Sequence, residues 1–141
     1  MILDTTHTSR ENSAIINDLV GTPFNFIQSI KMKGVYCKNL LIDDVSPNFK
    51  GFLNKKSDTY TNLELRPFGV IIKIKNELKN YSWIIPYYQL VIYKINGSSL
   101  HAQGHYIHFK NNKTFKKNKS FFEKLLDEKI KYESQYSFTP F

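Results

Sequence analysis

The run FGVIIKIKNELKNYSWIIPYYQLVIYKINGSSLHAQGHYIHFK (Phe68 to Lys110) holds the only tryptophan and three of the four histidines. Its reading decides the fold. In its first part Phe68, Val70, Ile72 and Ile74 fall on one side of an extended chain, and Lys73 and Lys75 on the other. That period of two is the mark of a half-buried strand. NELKN is polar and turn-like. YSWIIPYYQLVIYK is dense in β-branched and aromatic residues, which suit a pleated surface. Pro86 interrupts it. Proline has no N–H for a sheet ladder, so it marks an edge, a bulge or a join between two strands. Asn96-Gly97 makes a tight turn, LHAQGHYIHFK alternates again, and NNK closes it. Strands joined by short turns build an antiparallel meander.

Beyond this run the period changes. NKSFFEKLLDEKIKYES (Asn118 to Ser134) sets Phe121, Phe122, Leu125, Leu126 and Ile130 on one helical face and Glu123, Lys124, Asp127 and Lys131 on the other, an amphipathic helix. Ser120 and Glu123 have the spacing of a capping box. Lys129 falls in the apolar sector, where its stem can lie along the core. Toward the N-terminus, SRENSAIINDLVG spaces Ile15, Ile16, Leu19 and Val20 as a helix that stops at Gly21. Residues 1–22 therefore read as a less ordered or helical N-terminal extension. TPFNFIQSIKMKG fits a strand or a helix equally. Asp43 to Asn62 reads as a long loop with room for one short strand. The tail QYSFTPF docks or frays. The expectation is one domain over residues 1–141, with its best-defined sheet-plus-helix core at 63–133.

Composition narrows the chemistry. Cys37 is the only cysteine, so there is no internal disulfide and no cysteine-based zinc site. The start MILDTTHTSREN lacks the basic-then-apolar order of a secretory signal. No apolar run nears the roughly 18–20 residues that span a bilayer. A cytoplasmic protein is expected. The net charge is +8, which invites an anionic partner. Yet all the basic residues except Arg10 and Arg66 are lysines, which supply charge but little base readout. From Lys110 to Lys131 eight lysines face three acids. Lys110, Lys113, Lys116, Lys117 and Lys119 read as a flexible loop. They form a candidate site for weak binding of nucleic acid or a lipid headgroup, with a merely solvated loop as the even alternative.

His101, His105 and His108 are spaced i, i+4, i+7. On a helix they would form one row able to take a metal. Gly97, Gly104 and the β-type neighbours argue for a strand. There His101 and His105 lie about 13 Å apart, at about 3.3 Å per residue, and His108 points the other way. No metal site and no cofactor are expected. Nucleophile elbows, phosphate-binding loops, dinucleotide fingerprints and HExxH are absent from the sequence. Cys37 reads as a lone buried or half-buried thiol. Asp43 and Asp44 read as a solvated turn whose side chains point apart. Tyr81, Trp83, Tyr87, Tyr88, Tyr93 and Tyr106 could stack bases, but alternation splits them between faces, which favours core packing.

IIPYYQL (Ile84 to Leu90), with strands around it and one amphipathic helix after the last strand, resembles the bacterial pleckstrin-homology-like domain over roughly residues 63–133. The resemblance implies an α+β fold: a strongly bent antiparallel sheet or partly open barrel packed by a C-terminal amphipathic helix. It also implies a binding or scaffolding module rather than an enzyme, with a protein or peptide partner. No lipid-binding motif accompanies Lys73 or Lys75, so the family's lipid site is not carried over.

Overall fold

The run from Phe68 to Lys110 folds not as one meander but as two groups of strands, at residues 69–86 and 91–109, which lie in opposite halves of a larger sheet. The computed structural model describes residues 1–7, 9–54 and 56–135. In chain order it contains strand β1 (Ile2–Asp4), helices α1 (Arg10–Val20) and α2 (Phe26–Lys31), and strands β2 (Tyr36–Val45), β3 (Tyr60–Arg66), β4 (Gly69–Asn76), β5 (Lys79–Pro86), β6 (Val91–Tyr93), β7 (Ser98–Ala102) and β8 (His105–Phe109). Helices α3 (Lys113–Lys117) and α4 (Lys119–Gln135) follow. The eight strands form one antiparallel sheet in the order β1-β5-β4-β3-β2-β8-β7-β6, so it is not closed into a barrel. The fold is α+β, with α4 laid on the sheet. The tail beyond Gln135 lies outside the described residues.

Val70, Ile72 and Ile74 of β4 are buried, as their alternation predicts. Pro86 ends β5 opposite Gly69 and leads into a 3-10 turn over Tyr87–Gln89. It is the join between β5 and β6. The outer face of β4 is less wet than the pattern implies, because Ile71 and Ile84 are buried with Val20 of α1. A Cβ at Gly69 would strike Val20 and the Ile85 carbonyl. The bare glycine lets α1 seat that closely. The first 22 residues thus hold an edge strand, β1, and a helix packed on the sheet. Ser9 caps α1, accepting from the Asn12 N–H at 3.3 Å, and Gly21 ends it at φ +86. The ambiguous TPFNFIQSIKMKG resolves to α2, where Asn25 and Gln28 form a reciprocal capping box.

Four local expectations are corrected. The loop expected from Asp43 to Asn62 begins later. β2 runs through Val45, a 3-10 turn spans Pro47–Phe52, and β3 opens at Tyr60. LHAQGHYIHFK is two strands rather than one, because Gln103 and Gly104 both take positive φ and turn the chain back on itself. The lysine loop before α4 contains a helical turn, α3, capped by Asn112, which accepts from the Phe115 N–H at 3.0 Å. Ser120 lies inside α4, whose first turn continues from Asn118. It is not the cap, and the Ser120–Glu123 box is not formed.

The core lies between the concave sheet face and α3–α4. Phe121, Phe122 and Leu125 are buried, but Ile130 is 51% exposed. At 3.6 residues per turn Ile130 sits about 140° from Leu125, whereas Tyr132 lies within about 20° of it. Tyr132 accordingly packs on Phe68 and Tyr87. The sheet's curl is measured by Trp83 of β5 and His105 of β8. Four ladder steps would hold them about 19 Å apart in a flat sheet, at about 4.8 Å per step. Their ring centroids are 6.0 Å apart. Two register shifts in β2, between Cys37 and Leu40 and between Ile42 and Asp44, lie where the sheet bends.

Candidate docking face on strands β6 to β8

Register decides which side chains meet on the convex side of the last three strands. Ser99 faces His108 and His101 faces Tyr106, while Val91 faces His101 and Tyr93 faces Ser99. Residues opposite one another share a face, so all six lie together. His105 pairs with Ala102 on the other face, where its ring lies 5.5 Å from Phe49. The β7–β8 turn thus overturns the single-strand geometry. His101 and His108 share a face, and His105 is the one turned away. Among the described residues no three His, Cys, Asp or Glu side chains are placed to hold a metal ion.

The rings form a row. Tyr93 meets His101 edge-on at 4.6 Å, and His101 stacks on Tyr106 at 5.1 Å with 20° between planes. The Tyr106 hydroxyl donates to Asp44 Oδ2 at 3.2 Å, and Asp43 Oδ2 lies 3.9 Å from His108 Nε2. Tyr106 and His108 lie on one face of β8, so both aspartates reach that face. The expectation that they point apart in a turn is corrected. They stand in β2 beside its second register shift, and such a shift breaks alternation. Ser99 Oγ and His101 Nε2 are 2.8 Å apart. Burial chiefly, and then the nearby His108, lower the pKa of His101, so its imidazole is neutral near pH 7. A serine and histidine at this distance suggest a nucleophile and base. Ser99 is buried, however, and among the described residues no carboxylate hydrogen-bonds His101 to orient it. The arrangement presents aromatic surface more than a reacting atom.

The rim of this face is a sheet edge. Among the described residues β6 is last in the sheet and pairs only with β7. Val91 and Tyr93 are each 48% exposed and Ile95 73%. The aromatic set expected to pack in the core divides: Trp83 and Tyr87 are core residues, whereas Tyr88 and Tyr93 are exposed. A separate exposed apolar group, Phe26, Ile27 and Ile30, lies on α2.

The other sequence candidates fall elsewhere. Lys110, Lys113, Lys116, Lys117 and Lys119 are exposed along and beside α3. None forms an ion pair among the described residues. Cys37 is buried, and burial pushes its thiol up to about 11, so it is protonated at neutral pH. Sequence reasoning missed Glu64 and Arg66. Arg66 Nε donates to Glu64 Oε2 at 2.6 Å, and its Nη1 donates to the Gly21 carbonyl at 2.8 Å and to Asn17 Oδ1 at 3.0 Å. Lys73 reaches Glu64 Oε1 at 2.9 Å. The alternation of NLELRP puts Glu64 and Arg66 on one face, which was the available signal. Arg66 and Lys73 line a groove of about 480 Å3 under α1, together with Thr5, Asn12 and Ser82. No helix among the described residues is long and apolar enough to cross a membrane. No family model, no curated protein and no solved structure matches the chain.

Proposed function

We propose that the chain is a non-enzymatic interaction module that takes an extended protein or peptide segment along β6. The observation that carries this reading is the open β6 edge beside exposed Val91, Tyr93 and Ile95. An unpaired edge offers backbone donors and acceptors in strand register, and alternate side chains of an added strand would reach the Tyr93–His101–Tyr106 row. The seven strands β2 to β8, bent at β2 and followed by α4, support the pleckstrin-homology-like reading of the fold. That family's members are chiefly binding modules. The test is selection from a displayed peptide library, with the selected peptides titrated into isotopically labelled protein. Amide shifts should concentrate at residues 91–95. Tyr93→Lys should abolish them and Phe26→Ser on α2 should not. Selection of no peptide, or of peptides that map only to α2, would refute the reading.

A second reading rests on the five exposed, unpaired lysines around α3. They support weak, sequence-indifferent binding of an anionic polymer. Such binding follows counterion release and should fall steeply between low salt and about 150 mM. Tight, sequence-dependent binding to a DNA duplex that survives the higher salt would displace the peptide reading.

A further inference from the structure

Between the β6–β7 hairpin and the α3–α4 junction lies a cavity of about 340 Å3. Small-molecule sites span about 300–1,000 Å3. Ile92, Phe115 and Phe122 give it apolar walls, and Ser98 lines it as well. Ser98 is 2% exposed, and its Oγ is buried without a hydrogen-bond partner among the described residues. Ser98 is the first residue of β7 and stands opposite Phe109 on the concave face; the amides of Asn96 and Asn111, which also line the cavity, hydrogen-bond each other at 3.4 Å and not Ser98. A buried hydroxyl left unpaired is costly, and native interiors nearly always supply it a partner. Lys94 and Lys119 also line the cavity, both exposed. Glu123 is the one carboxylate there, so the lining keeps a positive balance.

We propose that this cavity binds a small aromatic carboxylate carrying a second hydrogen-bonding group at its far end. Each part of that ligand answers a separate feature. The carboxylate meets Lys94 and Lys119, the ring lies against Phe115 and Phe122, and the distal group pairs with Ser98 Oγ. An unsubstituted ring would leave the hydroxyl orphaned, and a cationic head would face two ammonium groups. The inference concerns the concave side of β7 and does not depend on peptide binding at the β6 edge.

The test uses 4-hydroxyphenylacetate, phenylacetate and tyramine as probes of the full chain, followed by amide chemical shifts. 4-Hydroxyphenylacetate should shift signals at Ser98, Lys119 and Phe122. Phenylacetate should bind the same residues about five- to tenfold more weakly, the effect of one lost buried hydrogen bond. Tyramine, with an ammonium in place of the carboxylate, should leave the signals in place. Ser98→Ala should erase the preference for the hydroxylated probe while leaving the melting temperature unchanged or raised, since the hydroxyl it removes has no partner among the described residues. Lys119→Glu should weaken both carboxylates. Equal binding of all three probes, shifts confined to other residues, retention of the preference in Ser98→Ala, or no binding at millimolar probe would each overturn the proposal.

Discussion

Arg66, one of only two arginines in the sequence, is not free for readout. Its guanidinium is held between Glu64 and the C-terminal end of α1, where a cation satisfies orphan carbonyls and the helix dipole. Only Arg10 is left as an exposed arginine. Breaking one partner of a buried ion pair costs about 3–5 kcal/mol. Arg66→Met should fall toward the lower end, because Lys73 still neutralises Glu64. The Glu64→Leu, Arg66→Met double variant should recover much of the loss, and urea denaturation of the three chains reads both numbers. His101 gives a second prediction. Its folded pKa lies below the ordinary value of 6.5, first through burial and then through His108. The unfolded chain therefore binds a proton that the native state resists, so native stability is full above about pH 6.5 and declines as pH falls through the interval down to the folded pKa. His101→Phe should lose that part of the decline. A stability profile identical to the parent's from pH 7 to 5 would contradict the assigned environment. Neither role was fully legible from sequence. Alternation puts Glu64 and Arg66 on one face, but the carbonyl that Arg66 caps lies 45 residues away in the chain. The burial of His101 depends on a turn that alternation alone conceals.

The elements that sequence period defined cleanly, β4 and the middle of α4, appear where expected, but the cap expected for α4 does not. Helical period survives a one-turn error in the start, whereas a cap is a single position and does not. Asn112, seven residues before α4 starts at Lys119, caps the short α3, and Ser120 rides on an exposed turn. Asn112→Ala should thus cost about 0.5–2 kcal/mol, and Ser120→Ala should stay within about 0.5 kcal/mol of the parent. On α4 itself Leu125→Ala should cost about 2–5 kcal/mol, because the side chain is fully buried. Ile130→Ala should be near neutral, since half of it is already in water. Chemical denaturation of these four variants checks the orientation of the helix. Equal losses at Leu125 and Ile130 would mean that α4 is rolled toward the face first read from its sequence. β2 was missed for another reason. Lys38, Asn39, Asp43 and Asp44 are poor strand formers, and their strand exists because β3 and β8 flank it. Tertiary pairing outweighs local preference there.

At the scale of the molecule, the curl of the sheet governs how it unfolds. The two halves, β1-β5-β4-β3 and β8-β7-β6, meet through β2 and contribute to one continuous core. Trp83 stands at their seam. It is fully buried, its ring lies 5.2 Å from Phe49, and its Nε1 donates to Gln103 Oε1 at 3.2 Å. Gln103 also donates to the Ile84 carbonyl and to Gln89, so the β7–β8 turn is fastened to β5 by side-chain hydrogen bonds as well as by packing. A bent sheet was legible from the helix that must cover it. Which residues would bridge its halves was not, since positions far apart along the chain and across the ladder come together only when the sheet bends. If the seam joins the halves into one cooperative unit, opening either exposes the shared core and removes the other's support. Tryptophan fluorescence, which reports the seam, and far-UV circular dichroism, which reports the whole sheet, should then give superimposable urea transitions. Gln103→Ala should lower both midpoints together, because it leaves the indole N–H without its acceptor at a buried site. A fluorescence transition that precedes the loss of ellipticity would mean that the halves part before they melt, and the seam would be a contact between two folding units rather than the centre of one.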